Sequence, residues 1–576
     1  MSDGEYDIAI VGGGPGGSTT GALVRKYSEA RVLIVERERF PREHVGESQL
    51  PPIGGILHEM GCWDEVEAAN FPIKIGATLR WGREDRLWDF DFLPRGQLEP
   101  QARPAAYGGQ RLKTALQVDR AIYDDILLRQ AERLGCEVRQ QTKVSRVLRE
   151  GDRVLGLELA DGTVVRAKWY VDASGGAGVL RRAMDVKVDS PSALKNVAVW
   201  DYWDDVEWAE TIGIGGTRVQ VLSVGFGWIW FIPVTATRAS VGLVVPAKHY
   251  KDSGKSLEAL YHEALRLEPR VRELLAGATI RGQVRSTKDW SFLAQRACGE
   301  NWWLVGESVG FADPILAAGM TLTQTGAREL AYSLVALQRG EHEASWLQHH
   351  YEVNQRTRIW QHIRFADFWY ANNGQLTDLR EQCREIAHDS GLQLTADDAW
   401  RWLAQGGFAN DVLGQAMVGG YDLASVKQVT QRFLGQPSKW GVSSVNRVRM
   451  ALDGAKMESV PYYRQGKVVP IRSFERGGKR LLMVGPIGLI AKLVPQHPRT
   501  PQLLAAVRRE MIERVGAGAA EQVVQDALQG LELLLTEGWV EGSVEPGHPF
   551  VSLSTPDEGV GVHTHHQDRT DGVVAT

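Results

Sequence analysis

The chain has 576 residues, 43% apolar and 24% charged, with a formal net charge of −5 at pH 7. This is the balance of a soluble globular protein of roughly three to four domains, and it lacks the basic field that holds a nucleic-acid backbone, so nucleic acid is excluded as a partner. Cys62, Cys136, Cys298 and Cys383 are scattered with no CxxC pair, which implies neither a metal site nor a disulfide framework.

The opening MSDGEYDIAIVGGG enters a strand at once, with no signal-peptide pattern. The longest apolar run, LLMVGPIGLIAKLV from Leu481, is short and broken by Gly and Pro. A cytoplasmic protein without a membrane span is expected. YDIAIVGGGPGGSTTGALVRK then reads as buried strand, glycine turn and helix, with Gly12, Gly14 and Gly17 in GxGxxG register. Such a turn aims free N–H groups of the helix start at a pyrophosphate. The next apolar run ends in Glu36, about twenty residues on, where a carboxylate can bind ribose hydroxyls. A dinucleotide cradle follows, and it could hold NAD or FAD.

Further along, FPREHVGESQLPP precedes FPIKIGATLRWG, which carries Lys74 ahead of Gly76 and Ala77. QVDRAIYDDILLRQAERLGCEV reads as a helix with Arg120 near its start. WYVDASGGAGVLRR places Asp172 and Gly175 after a strand, and GWIWFIPV sets Trp228, Trp230, Ile232 and Pro233 in a stretch of high strand propensity. STKDWSF contains Asp289. NWWLVGESVGFADPILAAGM then runs from a strand through Glu307, Asp313 and Gly319 into a helix.

The DASG and GE…DP…G segments resemble those of FAD-dependent aromatic hydroxylases and their relatives, which makes FAD the expected cofactor. Within that superfamily, the WxWxIP pattern of Trp228, Trp230, Ile232 and Pro233 resembles the signature of flavin-dependent halogenases. The GES and KIGA segments agree, and the resemblance covers roughly residues 5 to 335. It implies that reduced FAD and oxygen oxidise chloride or bromide to hypohalous acid. It also implies that a wall of rigid indoles keeps the organic substrate away, and that a lysine beyond the wall, here Lys74, passes the halogen on. Burial would assist Lys74, because desolvation disfavours the ammonium. By the same resemblance Arg120 is the phosphate cation, Asp172, Gly175, Glu307 and Asp313 adjoin the flavin, and Asp289 lies near its ring edge. Backbone N–H groups of Gly319 and Met320 would hold the halide.

This chain departs from the pattern in two places. Glu307 replaces the usual Asp, and Ala317-Ala318-Gly319 replaces a Ser-containing turn. The turn also lacks the glutamate of tryptophan halogenases, which points to a phenol, a pyrrole or a carrier-bound acyl substrate in natural-product biosynthesis. No second GxGxxG offers NADPH a place, so a separate flavin reductase is the expected partner. The alternatives are a flavin-dependent monooxygenase or dehydrogenase on the same scaffold, and an FAD-binding scaffold whose C-terminal module docks a partner. Trp228 and Trp230 could merely pack a sheet, Arg120 could be a solvated helix residue, and Asp289 a solvent-facing strand end.

The expected fold is α/β. Residues 1–340 form an FAD-binding and catalytic domain whose FAD part is discontinuous (about 1–120, 160–185 and 280–340), with a substrate sheet at 71–115 and 186–280. A mainly helical region spans 341–460, where Trp360, Phe365, Phe368 and Trp369 share helical spacing, as core or as an aryl pocket. Residues 461–555 read as a winged-helix-like module ending in a Gly-Trp-Val hairpin, and 556–576 as a disordered tail with three clustered histidines.

Overall fold

The run IAIV is apolar on both faces, as a central strand of a parallel sheet must be. The computed structural model places it in Glu5–Val11 (β1), with Ile8, Ala9 and Ile10 fully buried. The structure describes residues 5–82, 85–93, 99, 101–190, 195–206, 216–288, 291–373, 427–428, 440–551 and 562–564. The chain divides into two units, Met1–Leu394 with Gln465–Lys467 and Val560–Thr576, and Thr395–Arg464 with Val468–Gly559.

In the first unit, helix Pro15–Tyr27 (α1) follows β1, and Val32–Val35 (β2) returns parallel to it. Val164–Asp172 lies parallel on the other side of β1 and carries Trp302–Leu304 in turn, while Glu137–Arg139 extends the sheet beyond β2. Val144–Glu150 and Arg153–Leu159 add an antiparallel pair, completing a seven-stranded sheet. Two glycines of the fingerprint are demanded by the backbone. Gly12 has φ +107 and a Cβ there would stand 2.4 Å from Ala173 O, while a Cβ on Gly17 would stand 1.9 Å from Gly12 O. No other residue allows the turn and the close seating of α1.

The second sheet holds ten strands among the described residues. Its centre runs in the order Asn196–Asp204, Ala239–Pro246, Gly227–Pro233, Gly216–Val224, Ile73–Arg80 and Trp88–Asp91. In chain order, Ile73–Arg80 is β3, Gly216–Val224 is β4, Gly227–Pro233 is β5 and Ala239–Pro246 is β6. Strand alternation gives β5 two different faces. Ile229 and Phe231 enter a core with Leu260, Tyr261 and Val271 from the helices Leu257–Leu267 and Pro269–Leu274. Trp228 and Trp230 point the other way. Pro233 ends the strand, where a missing N–H costs least. Opposite Trp230 in β6 sits Gly242, whose Cβ would lie 2.2 Å from the indole Cζ2. The large ring is thus seated by the absence of a side chain across the ladder.

β3 runs parallel to β4 with one irregularity. Thr217 pairs with Lys74 and Arg218 with Gly76, so Ile75 is the extra residue of a bulge. A Cβ on Gly76 would stand 1.8 Å from Phe90 O, so only glycine admits the neighbouring strand at the bulge.

Helix Gly319–Arg339 (α2) packs on α1, and helix Ala344–Ala371 (α3) follows it. The aromatic stripe of α3 is split: Phe365 and Trp369 are 3% and 1% exposed, whereas Trp360 is 40% exposed. The stretch at 556–576 contains a strand, Val562–Thr564, which pairs with Trp88–Phe90. Among the described residues no helix is long and apolar enough to cross a membrane.

In the second unit, Lys456–Arg464, Lys467–Arg476 and Lys479–Leu482 form one sheet, followed by helices Gly485–Leu493, Thr500–Val515 and Ala517–Thr536. Among the described residues the expected Gly-Trp-Val hairpin is not formed. Val540–Ser543 pairs instead with Arg447–Met450, upstream of all three helices. Trp539 is buried under the Arg476 guanidinium at 4.7 Å, so the segment spends its indole on packing and not on a wing tip.

The Gly76→Ala variant should lose about 2 kcal/mol or more in denaturant unfolding, because its methyl meets a backbone carbonyl and not a yielding side chain. Gly108→Ala, where a Cβ meets nothing within 4 Å, should unfold like the wild type.

Candidate active site

A cavity of about 410 Å³ joins the two sheets of the first unit. At one part it is lined by Gly12, Gly14 and Pro15 of the first turn, by Glu36 at the end of β2, and by Ser174 and Gly175. Glu36 is fixed by two backbone donors, Gly13 N to Oε2 at 2.7 Å and Glu38 N to Oε1 at 2.8 Å. At another part the lining is Trp228, Trp230 and Ile232 of β5, Val219 and Val221 of β4, and Pro314, Gly319 and Met320 where α2 begins. Gly319 and Met320 therefore bring the first-turn N–H groups of a 21-residue helix to the cavity. Ala317 just before them has φ +51, an unusual conformation for a residue with a side chain.

Arg120 lines the cavity but is spoken for. Its Nε and Nη2 each bond the Asp124 carboxylate at 2.8 Å, and Nη1 bonds Val45 O at 3.0 Å. Arg42 stands nearer the glycine turn: a Cβ on Gly14 would lie 3.4 Å from its Nη2. Arg42 also lies 3.3 Å from Asp124, so the two arginines share one buried acid. The basic spacing FPRE held Arg42, yet nothing local to that motif shows that it folds back over the turn.

Two carboxylates line the same space. Glu307 is near Gly175, whose Cβ would stand 3.6 Å from Oε2, so the two segments paired by resemblance do meet. Glu47, from the GES segment, accepts Tyr202 Oη–H at 2.9 Å and Gly46 N–H at 3.1 Å. Burial raises both carboxyls, with the Arg120 charge opposing. Glu47 and Tyr202 were not singled out from sequence, because an acid inside a loop motif reads as solvated.

Asp172 and Asp313 do not line the cavity. Asp172 accepts from Ser174 N and Oγ, Leu180 N and Arg181 N, and so builds the DASG turn from behind. Asp313 caps the Pro314–Leu316 turn through Ile315 N at 2.9 Å. Burial pushes its carboxyl up to about 7, although Ile315 N–H, Tyr370 and Asn196 favour the ionised form. Gly17 serves packing, Pro233 ends its strand away from the lining, and Asp289 falls outside the described residues.

Lys74 lies outside the cavity lining, yet on the tryptophan face of the sheet. Val221 pairs with Trp230 and Ser223 with Trp228, so by alternation Thr217 of β4 shares that face, and so does its partner Lys74. Without the bulge at Ile75, Lys74 would point to the opposite side. Lys74 is 3% exposed, and its ammonium donates to Gln49 O at 2.9 Å and stands 5.6 Å from the Phe92 ring centroid. Burial pulls its pKa down to about 7.

A family profile described as tryptophan halogenase matches residues 7–100 and 93–398. The chain is 33% identical over 347 residues to a tryptophan 2-halogenase of Chondromyces crocatus, covering 58% of this chain and 62% of that one. It is 29% identical over 390 residues to a 1H-pyrrole-2-carbonyl-[peptidyl-carrier protein] chlorinase of Pseudomonas fluorescens, covering 65% and 85%. Among solved structures, the chondrochloren halogenase CndH superposes with a TM-score of 0.58 at 27% identity, covering 76% of this chain and 99% of that one. The flavin-dependent halogenase CmlS shares the fold over 96% of this chain and 98% of its own, with a TM-score of 0.70 at 22% identity.

A lysine whose folded pKa lies below its unfolded value costs stability in full below about pH 7, and the cost fades as pH rises toward 10.5. Lys74→Met should therefore unfold at a higher denaturant concentration than wild type at pH 6, by more than about 2 kcal/mol given roughly 1.4 kcal/mol per unit. The gap should close toward pH 10.

Proposed function

The chain belongs to the tryptophan halogenase family of flavin-dependent enzymes, and from that premise we propose that it is a two-component halogenase acting through Lys74. It would make hypohalous acid from chloride or bromide in the cavity and transfer the halogen to an electron-rich natural-product intermediate. The observation that carries this reading is the placement of three side chains on one sheet face. Trp228 and Trp230 line the cavity, while Lys74, two strands away, is buried beyond its lining.

The residues present fit FAD. Gly12, Gly14, Pro15 and Gly16 line the cavity where α1 begins, so that the first-turn N–H groups of this helix can meet a pyrophosphate, and Glu36 lines it at the end of β2, where a carboxylate can meet ribose hydroxyls. Reduced FAD with oxygen, supplied by a separate reductase, would provide the oxidising power for halide. Arg42 and Arg120 would offset phosphate charge, with Gly175 and Glu307 beside the ribityl part. The Gly319 and Met320 N–H groups would hold halide, which Ala317 and Ala318 can support by backbone alone. The indoles exclude organic molecules, and the Lys74 amine, neutral in part near pH 7, would hydrogen-bond hypohalous acid or take up its halogen.

The substrate class we propose is a phenol, a pyrrole or a carrier-bound acyl group. Similarity to a pyrrolyl-carrier chlorinase supports it, and similarity to a tryptophan 2-halogenase favours indole as the rival.

With reduced FAD, oxygen, bromide and a 1,3-diketone trap, wild type and Lys74→Ala should both yield brominated trap. With methionine present to scavenge free hypobromite, bromination of a phenol substrate should fall about 100-fold or more in Lys74→Ala relative to wild type. Peroxide without trapped bromine in the wild type would instead mark a monooxygenase or dehydrogenase on this scaffold.

A further inference from the structure

α3 lies outside both sheets, yet its last turn ends among the tryptophans. Tyr370 packs edge-on against Trp81 at 5.9 Å between ring centroids, and Trp81 stands edge-on to Trp228 at 6.3 Å. Trp228 Nε1–H donates to Tyr370 Oη at 2.8 Å. The phenol in turn donates to Asp313, whose oxygens lie at 3.1 and 3.3 Å. Asn196 Nδ2 reaches both Asp313 Oδ2 and the phenol oxygen at 3.3 Å. All four residues are at most 4% exposed. Asp313 is also the cap of the turn that leads to Gly319 and Met320.

We propose that Tyr370 is a positioning residue whose single hydroxyl ties the Trp228 indole to the Asp313 carboxylate, so that the wall and the halide-binding turn are set together. This rests on the halogenase reading. A phenylalanine would preserve the ring contacts, so packing alone does not explain the hydroxyl. A buried indole N–H has no acceptor of its own, and a buried carboxylate needs donors; the phenol supplies both roles at once. Because the hydroxyl joins a buried donor, Trp228 Nε1–H, to a buried acceptor, the Asp313 carboxylate, it specifies their geometry more sharply than contact between rings would achieve.

The test compares wild type, Tyr370→Phe, Trp228→Phe and the double variant, each loaded with FAD, with the halide and trap assay and an assay-independent probe. In the apo-protein labelled with ¹⁵N-tryptophan, the indole resonance that Trp228→Phe deletes should move upfield in Tyr370→Phe, reporting the lost acceptor. The bromide KM should rise about tenfold in Tyr370→Phe, the worth of one such hydrogen bond, with FAD affinity unchanged. The double variant should be no worse than the more impaired single one. The pH profile gives a second signature. Asp313 is faced by Tyr370 Oη–H, Asn196, Ile315 N–H and the Asp367 carboxylate, itself 3.3 Å from Arg364. Removing a donor to the ionised form raises the carboxyl, so the limb near neutrality should move to higher pH in Tyr370→Phe.

An unmoved indole resonance, or a bromide KM within twofold of wild type, overturns the proposal. So does a loss of turnover that tracks a fall in melting temperature with KM and pH limb unchanged, since that is packing alone. A wild type that oxidises no bromide removes the halogenase reading and this inference with it, even where the resonance moves.

Discussion

A strand has two faces, and in the second sheet of this protein one face is committed to a hydrocarbon core under Ile229 and Phe231. Trp228, Trp230 and Lys74 must therefore share the other face, and the register of β4 with β3 and β5 holds them there. The bulge at Ile75 makes this possible for Lys74. It depends in turn on Gly76, which leaves no room for a methyl beside Phe90 O. A backbone constraint of one residue thus decides which side of the sheet receives the amine. Gly242 performs the matching service for Trp230 by leaving its place across the ladder empty.

Electrostatics follow from the same enclosure. Lys74, Glu47 and Asp313 are buried and Glu307 is half-buried, and desolvation shifts each toward its neutral form. Ionisable groups are tolerated at such depth only with partners. Glu47 has Tyr202, Asp313 has Tyr370 and Asn196, and Lys74 has Gln49 O. Arg120 and Arg42 share Asp124. Burial leaves the Lys74 amine partly neutral near pH 7, as the proposed halogen transfer requires and as a solvated lysine would not provide.

How far the sequence carries depends on how local the signal is. The strand, glycine turn and helix were legible because the positive φ of Gly12 and the contact of Gly17 with Gly12 O are set within the turn itself. The tryptophan signature was legible because two indoles two residues apart on a strand must share a face. The profile match to residue 398 extends past the stretch to roughly 335 read from motifs. What stayed hidden was long-range. The bulge needs the partner strand, Arg42 needs the fold of its loop, and Tyr370 needs the docking of a helix whose own spacing suggested a single aromatic face. Asp172 was expected beside the flavin because its motif is; its carboxylate instead faces backbone donors of the turn. The Gly-Trp-Val segment carries strand propensity with no mark of its partner, so the hairpin was the local guess and Arg447–Met450 the actual neighbour.

Bromide is the most direct reporter on the proposed separation of the cavity, as the place where oxidant is made, from the Lys74 amine. Anomalous diffraction at the bromine edge from FAD-loaded crystals soaked in bromide should show a peak against the Gly319 and Met320 N–H groups, on the cavity side of Trp228 and Trp230. An absence of density at that helix start, or a peak seated instead on the Lys74 ammonium, would contradict the account.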